Sequence, residues 1–507
     1  MRVDHNGFRV SGLAAAFAAG SVCLALLAVG PLAAEEPPPF EPAVPLPKVI
    51  STRTAPAETL DVAGCVTLAL EYNEQVLAER ERREELNGQM YQALSTGLPS
   101  LDLAGEWRRG RDPSFALDET FGGGGGIGIP ADAPDWFQEW LAGFGSFIPA
   151  PDAIPAQTFL RANATLNWEI NPVKISGAVG AANTGIDRQE RIVTAVENET
   201  AENVVVAYHQ IIQAAESVLA VEAQRTNQKE LLDLVRLRYE LGLADRLDTL
   251  QAAVGLANLE PQLRVAQQAL RNSGAQLNAL IGRNPDLPLA VRNEQEIERA
   301  PIDREAAMRI AMERPELKAD ELLVEILRRN RTAQASEMYP YLTLFGQYGY
   351  VGKKPDSVFE NGHDYWSAAV ALNIPVFDGL LTRGRVREAE AQIRRTETEL
   401  AGRRRTVRVS VLELVTSVEA ARQVLDAAEL NLASSQEALS ESMLRLELGQ
   451  ARYLDVLLAE SNRAQARSNV IDARFEVLRR TASLKRALGY SPLTPLTEIP
   501  GLVAEVP

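Results

Sequence analysis

The chain has 507 residues, long enough for two to four ordinary domains, with a net charge of −16 and only three histidines and two cysteines. The acidic balance argues against a nucleic-acid surface. His5, His209 and His363 leave no material for a histidine-based metal site or triad, so no enzyme, no cofactor and no metal centre is expected.

In chain order, the first element reads as an export signal. Arg2 and Arg9 precede an Ala/Leu-rich apolar run over 13–32, which ends in Ala33 and Ala34 before "EEPPP". Residues 1–34 are therefore expected to be a cleaved signal peptide and 35–59 a Pro-rich linker. No later run approaches the ~18 consecutive apolar residues of a spanning helix. Cys23 lies in the signal, which leaves Cys65 without a partner in the mature chain. The stretch 62–65 (Val-Ala-Gly-Cys) superficially resembles a lipid-attachment box, but it lies far from the apolar run, and a buried small residue is expected there.

Short segments with period-two alternation come next. In 101–108, Leu101, Leu103, Gly105 and Trp107 share one face, and Asp102, Ala104, Glu106 and Arg108 the other. In 160–170, Leu160, Ala162, Ala164, Leu166, Trp168 and Ile170 oppose Arg161, Asn163, Thr165, Asn167 and Glu169. The Gly-rich run 122–128 between them lacks the Gly-Lys-Ser/Thr of a phosphate loop and reads as a loop tip. The same style returns in the aromatic-rich 341–350 and in Trp366, Ala368, Val370, Leu372 and Ile374. Strands are expected at about 98–110, 158–171, 339–352 and 364–376. Apolar and polar faces over about ten residues, with Trp and Tyr near the ends, suit a transmembrane β-strand; a soluble sandwich strand alternates in the same way. The export signal and the small number of strands favour the membrane. Four strands cannot close a barrel, and a bilayer tolerates no open edge, so strands must be pooled between copies. Two copies give a filled interior, whereas three give twelve strands and a water-filled bore.

The helices are long. From about Asn183 to Leu241 there is no proline and little glycine, enough for about 90 Å of helix at ~1.5 Å per residue. The counterpart, from about Gly384 to Leu448, carries a stripe of Val411, Val415, Val418, Ala421, Leu425, Ala428 and Leu432. A soluble coiled-coil scaffold would also explain the helices, but not the amphipathic strands just ahead of them.

The halves are copies. "ELGLADRLDTL" at 240–250 returns as "ELGQARYLDVL" at 447–457, and "ATLNW" at 164–168 answers "VALNI" at 370–374. The expected units are a first repeat over 60–285, a linker over 286–302, a second repeat over 303–492 and a tail over 493–507. Each repeat runs helix, two strands, long helix, helix. Gly242 and Gly449 are placed to end the long helices in a left-handed conformation. Asp245 is placed to cap the next helix, with Asp248 near its positive end; in the second copy Arg452 replaces the capping Asp, and a weaker cap is expected. The first copy holds about 35 more residues between its strands, including "DWFQEWLAGFGSFI", for which packing on a surface is expected.

Four motifs, "LALEYNEQV", "ERPELKAD", "LNIPVFDGLLTRGRV" and the paired "ELGxAxxLDxL" tips, occur in this order and duplicated. With them the chain resembles the TolC-like outer-membrane efflux proteins. The resemblance implies a mainly α fold with a membrane β-barrel. Internally duplicated helical hairpins would form a periplasmic α-barrel tunnel, and four transmembrane strands per chain would complete a 12-stranded barrel as a homotrimer in the outer membrane. It implies a passive exit duct for a periplasmic adaptor (membrane fusion) protein and an inner-membrane RND or ABC transporter. An outer-membrane component of type I protein secretion, or a structural or adhesive surface protein, is the alternative. Pro172 and Pro375 would mark the barrel-to-tunnel transition. Gly242, Leu243, Gly449 and Gln450 would sit at the adaptor contact. Asp248 and Asp455 would line the periplasmic aperture, with Arg246, Arg452 and Tyr453 available to link to them.

Overall fold

A computed structural model describes residues 59–110, 133–145, 156–293, 297–354 and 362–503, all within one unit, Arg53–Pro507. The signal over 1–34, the linker up to residue 58, the Gly-rich run 122–128 and residues 504–507 lie outside the described residues.

The chain opens with α1 (Val62–Tyr72) and α2 (Glu74–Ser95), separated at Asn73. Asp61 accepts from Gly64 N–H at 2.9 Å, and Asn73 from Gln75 N–H at 3.0 Å, so each helix starts on a side-chain cap. Then come β1 (Ser100–Gly110), α3 (Asp135–Gly145), β2 (Gln157–Ile170), α4 (Pro172–Glu240) and α5 (Arg246–Leu280). The order repeats as α6 (Arg304–Ala311), α7 (Pro315–Ala335), β3 (Tyr341–Gly352), β4 (Asp364–Asn373), α8 (Leu381–Glu447) and α9 (Tyr453–Ala487). Within α3, Trp136 and Trp140 are exposed and Phe137 stacks on Trp140 at 6.0 Å between ring centroids.

The strands form one antiparallel sheet in the order β1-β2-β3-β4, and β1 does not pair with β4. The helices joined to them keep the same order. Between α2 and α4, Arg80 meets Glu197 at 2.7 Å and Gln189 donates to the Glu79 carboxylate at 2.6 Å. Between α7 and α8, Arg331–Glu390 and Arg403–Asp320 pair at 2.9 and 2.7 Å.

The α4–α7 contact explains where the long helix starts. The scarcity of glycine and proline places that start near Asn183, but α4 begins at Pro172 and runs for 69 residues, about 100 Å. Asn171 caps it by accepting from Lys174 N–H at 3.1 Å, and Pro172 occupies the first turn, where a missing N–H costs nothing. Gly177 and Gly180 do not break it, because α7 crosses there: a Cβ at Gly177 would stand 2.7 Å from the backbone nitrogen of Ala333. Close approach of the Ala333 backbone, not flexibility, requires glycine at 177, whereas a Cβ at 180 would meet only the Arg329 side chain.

By length and composition α4 is apolar enough to cross a membrane. Its apolar residues Val204, Val205, Ile211 and Ile212 are instead buried in a cluster with α1 and α5 that includes Leu277 and Ile281. A second cluster joins α6, α8 and α9 with Leu496, Ile499 and Leu502 beyond α9. In the α8 stripe, Val411, Val415, Val418, Ala421 and Leu425 are buried and Ala428 and Leu432 partly so.

Cys65 is fully buried in the α1 cluster. Burial first, then the charge of Asp61, pushes its thiol up to about 11, so almost no thiolate exists near neutrality. A maleimide at pH 7.5 should leave Cys65 unmodified in the folded protein and label it after denaturation. Rapid labelling of native protein would contradict this packing.

Candidate functional site

Two regions stand out, the sheet and the hairpin tips. In the sheet, antiparallel partners point to the same side, so the register decides which residues share a face. Leu103 faces Ala164, Trp107 faces Leu160, Trp168 faces Leu344, Tyr348 faces Trp366, and Leu342 faces Leu372. One side of all four strands is therefore apolar. The other carries Asp102 opposite Thr165, Glu106 opposite Arg161, Glu169 opposite Thr343 and Gln347 opposite Ser367. The apolar side is not covered within the chain: Leu103 is 75% exposed, Trp366 73% and Val370 69%. Apolar area of this extent on a two-sided sheet suits a bilayer on one side and water on the other.

At the other end, each long hairpin turns on a left-handed glycine, Gly242 at φ 72° and Gly449 at φ 74°. Leu243 N–H reaches back to the Arg238 carbonyl at 2.7 Å, and Gln450 N–H to the Arg445 carbonyl at 2.8 Å. Each is a helix-ending motif in which the residue after the glycine satisfies an orphan carbonyl. The returning helices start on the acids expected near the aperture. Asp248 accepts from Asp245 N–H at 3.4 Å, and Asp455 from Arg452 N–H at 2.9 Å. The second-copy bond is the shorter one, but it satisfies only the N–H of the capping position; the Arg452 side chain has no acceptor and makes no cap bond to the N–H groups of the first turn. Around the turns, Leu241, Leu243, Leu247 and Leu448 are exposed.

The remaining expected residues divide. Arg246 and Arg452 are exposed and form no ion pair among the described residues. Tyr453 is buried between the hairpins with Leu231, Leu232, Val235, Ala252, Leu446 and Val456. Its hydroxyl accepts from Gln228 Nε2 at 3.2 Å, and the same amide nitrogen donates to the Ala252 carbonyl at 3.4 Å. Burial raises the Tyr453 phenol pKa, the Gln228 bond opposes that, and the nearby charge of Asp248 adds to the rise, so Tyr453 stays neutral around pH 7. Arg238 fixes the hairpins to each other, with Nη1 donating to the Leu446 carbonyl at 2.6 Å. Gln228 and Arg238 escape a reading of sequence. At the opposite end, Pro172 opens α4, and Pro375 lies between β4 and α8, where Asp378 accepts from Thr382 N–H at 2.8 Å.

A family model for outer membrane efflux proteins matches residues 308–490, which run from α6 to just past α9. The outer membrane efflux protein BepC of Brucella suis is 22% identical over 68% of this chain and 76% of its own length. The crystal structure of the outer membrane protein VceC of Vibrio cholerae superposes with a TM-score of 0.68 at 18% identity, covering 85% of this chain and 96% of that one. The chain is thus similar to the outer membrane efflux proteins in sequence over its second half and to their solved channels in fold. The fusaric acid resistance protein FusA of Burkholderia cepacia is 29% identical over 33% of this chain, and the match spans about a third of FusA's length (32%). The similarity spans both regions, the open sheet at one end of the long helices and the two matched turns at the other.

The link between hairpins is measurable. Tyr453→Phe should destabilise the protein by about 1 kcal/mol, and a double-mutant cycle with Gln228→Leu should show coupling of about 0.5 kcal/mol or more. Strictly additive effects on thermal unfolding would show that the two side chains do not interact.

Proposed function

We propose that this chain is the outer-membrane exit duct of a tripartite efflux system, working as a homotrimer. The observation that carries this reading is the uncovered apolar sheet face with two free edges, continued in the same order by four wall helices. Three copies supply twelve strands and a wide bore, and the polar sheet face, with Asp102, Glu106, Arg161 and Glu169, lines the water. The barrel lies in the outer membrane and the helices extend into the periplasm. Pro172 and Pro375 stand where strands give way to tunnel helices.

The tips meet the adaptor. Gly242, Leu243, Gly449 and Gln450 present short turns flanked by exposed leucines, a surface that suits the apolar grooves of a helical partner. Asp248 and Asp455, repeated by threefold symmetry, gather carboxylates at the aperture; they repel one another and draw cations. Arg246 and Arg452 are free to bridge to such acids in neighbouring copies. The family is a channel component, so transport is passive, and an inner-membrane RND or ABC transporter supplies the energy.

Purified trimer in a planar bilayer should conduct in discrete steps with cation preference. Asp248→Asn combined with Asp455→Asn should raise conductance and reduce that preference. Absence of conductance in both proteins would overturn the duct reading.

A further inference from the structure

The upper third of α8 is unusually basic for an acidic protein. Arg383, Arg387, Arg394, Arg405 and Arg408 recur so that, at 100° per residue, all five fall within a sector of about 60° over about 37 Å of helix. α7 covers a different side, where Thr382, Ala389, Thr396 and Leu400 are buried. The arginine row stands roughly 120° around the helix from it. The other arginines of this stretch are satisfied: Arg385 pairs with Glu337, Arg403 with Asp320 and Arg404 with Glu321, each at 2.7 Å. The five in the row are exposed and make no ion pair among the described residues. Arg383 and Arg387 stand one turn apart with like charge, which disfavours the helix unless something answers it.

The complementary surface is on α2. Val76 is buried and Glu79 and Arg80 bind α4, which defines the face of α2 turned toward its neighbour. Glu74, Glu81 and Glu85 lie within about 40° of one another around α2; Glu74 borders an open groove beside α4, α5 and α9, and Glu85 one beside α4 and α7. None of the three forms an ion pair among the described residues, and Glu85 accepts only from Gln89 of its own helix, at 3.2 Å. α2 and α8 are the two ends of the wall order α2-α4-α7-α8, as β1 and β4 are the two ends of the sheet.

We infer that Arg394, Arg405 and Arg408 of this row dock against the Glu74, Glu81 and Glu85 face of α2 in the next copy of this chain, forming a charged seam at each subunit boundary. The inference rests on the trimeric reading above. Heights agree. Gly177 abuts Ala333, and α4 and α7 run in opposite senses, so Asp320 stands level with the neighbourhood of Gln189. Gln189 binds Glu79 and Asp320 binds Arg403, which brings Glu79 and Arg403 to about the same height on the wall. Residues 74–85 of α2 and 394–408 of α8 therefore occupy overlapping levels. Gly384 and Gly402 lie on the open side of α8, and a Cβ at either would meet nothing within 4 Å inside the chain, which leaves room for a neighbour's helix. Such a contact is head-to-tail, and it closes into a ring of three when each copy is rotated by a third of a turn from the last. Opposed edges fix which helix meets which and in what register.

Charge exchange tests this. Full-length protein carrying Arg394→Glu, Arg405→Glu and Arg408→Glu should lose the trimer in native mass spectrometry from mild detergent while keeping its helical circular dichroism. Adding Glu74→Arg, Glu81→Arg and Glu85→Arg to the same chain should restore it, and the neutral triple Arg→Gln variant should give a partial loss that responds less to added salt than the unmodified trimer does. A trimer fraction unchanged by the triple reversal, or dissociation that the six-fold exchange fails to rescue, would overturn the seam while leaving the trimer of the unmodified protein intact. An unmodified protein that is itself monomeric would remove the trimeric reading along with the seam.

Discussion

A strand in hydrocarbon cannot leave its backbone N–H and C=O groups unpaired, because each orphaned group costs several kcal/mol there. β1 and β4 each bear one such row on the outer edge of a sheet that does not close on itself. Closure by neighbouring copies removes every edge at once. It also preserves the antiparallel pattern, because an even number of alternating strands brings the β4 of one copy beside the β1 of the next in opposite senses. Everything below the sheet follows from that requirement, since each strand end is continued by a helix and the helices inherit the strand order.

Gene duplication makes the arrangement economical. Both repeats provide a short helix pair, a strand pair and a long hairpin, and both end their long helices on a left-handed glycine, Gly242 or Gly449. The copies have diverged where their surroundings differ. In the first, Gly177 and Gly180 let α7 lie against α4. In the second, the corresponding turns of α8 carry arginines on an open side. At the tips, Tyr453, Gln228 and Arg238 tie the hairpins within one chain, and Asp248 and Asp455 hold the first turns of the returning helices.

The fold was legible in sequence wherever one residue type has one physical use. Period-two alternation placed the strands to within a few residues, because the two sides of each strand meet different media. The glycines of the tips were legible because little else takes a positive φ without strain. The α4 start was misplaced, since scarcity of glycine is a poor guide where glycine serves close helix crossing rather than chain reversal. Gln228 and Arg238 were invisible for another reason: their partners lie on the other hairpin, and a hydrogen bond to Tyr453 or to the Leu446 carbonyl leaves no local pattern.

In the proposed trimer, neighbouring copies close the barrel edge to edge. Disulfide scanning tests it most directly, with a cysteine at Leu101, Leu103 or Gly105 of β1 combined with one at Ala368, Val370 or Leu372 of β4, in a Cys65→Ser background. Oxidation in native outer membranes should convert at least one combination into covalent dimers and trimers on denaturing gels. Monomers alone, or cross-links formed only within a single chain, would contradict closure by neighbouring copies.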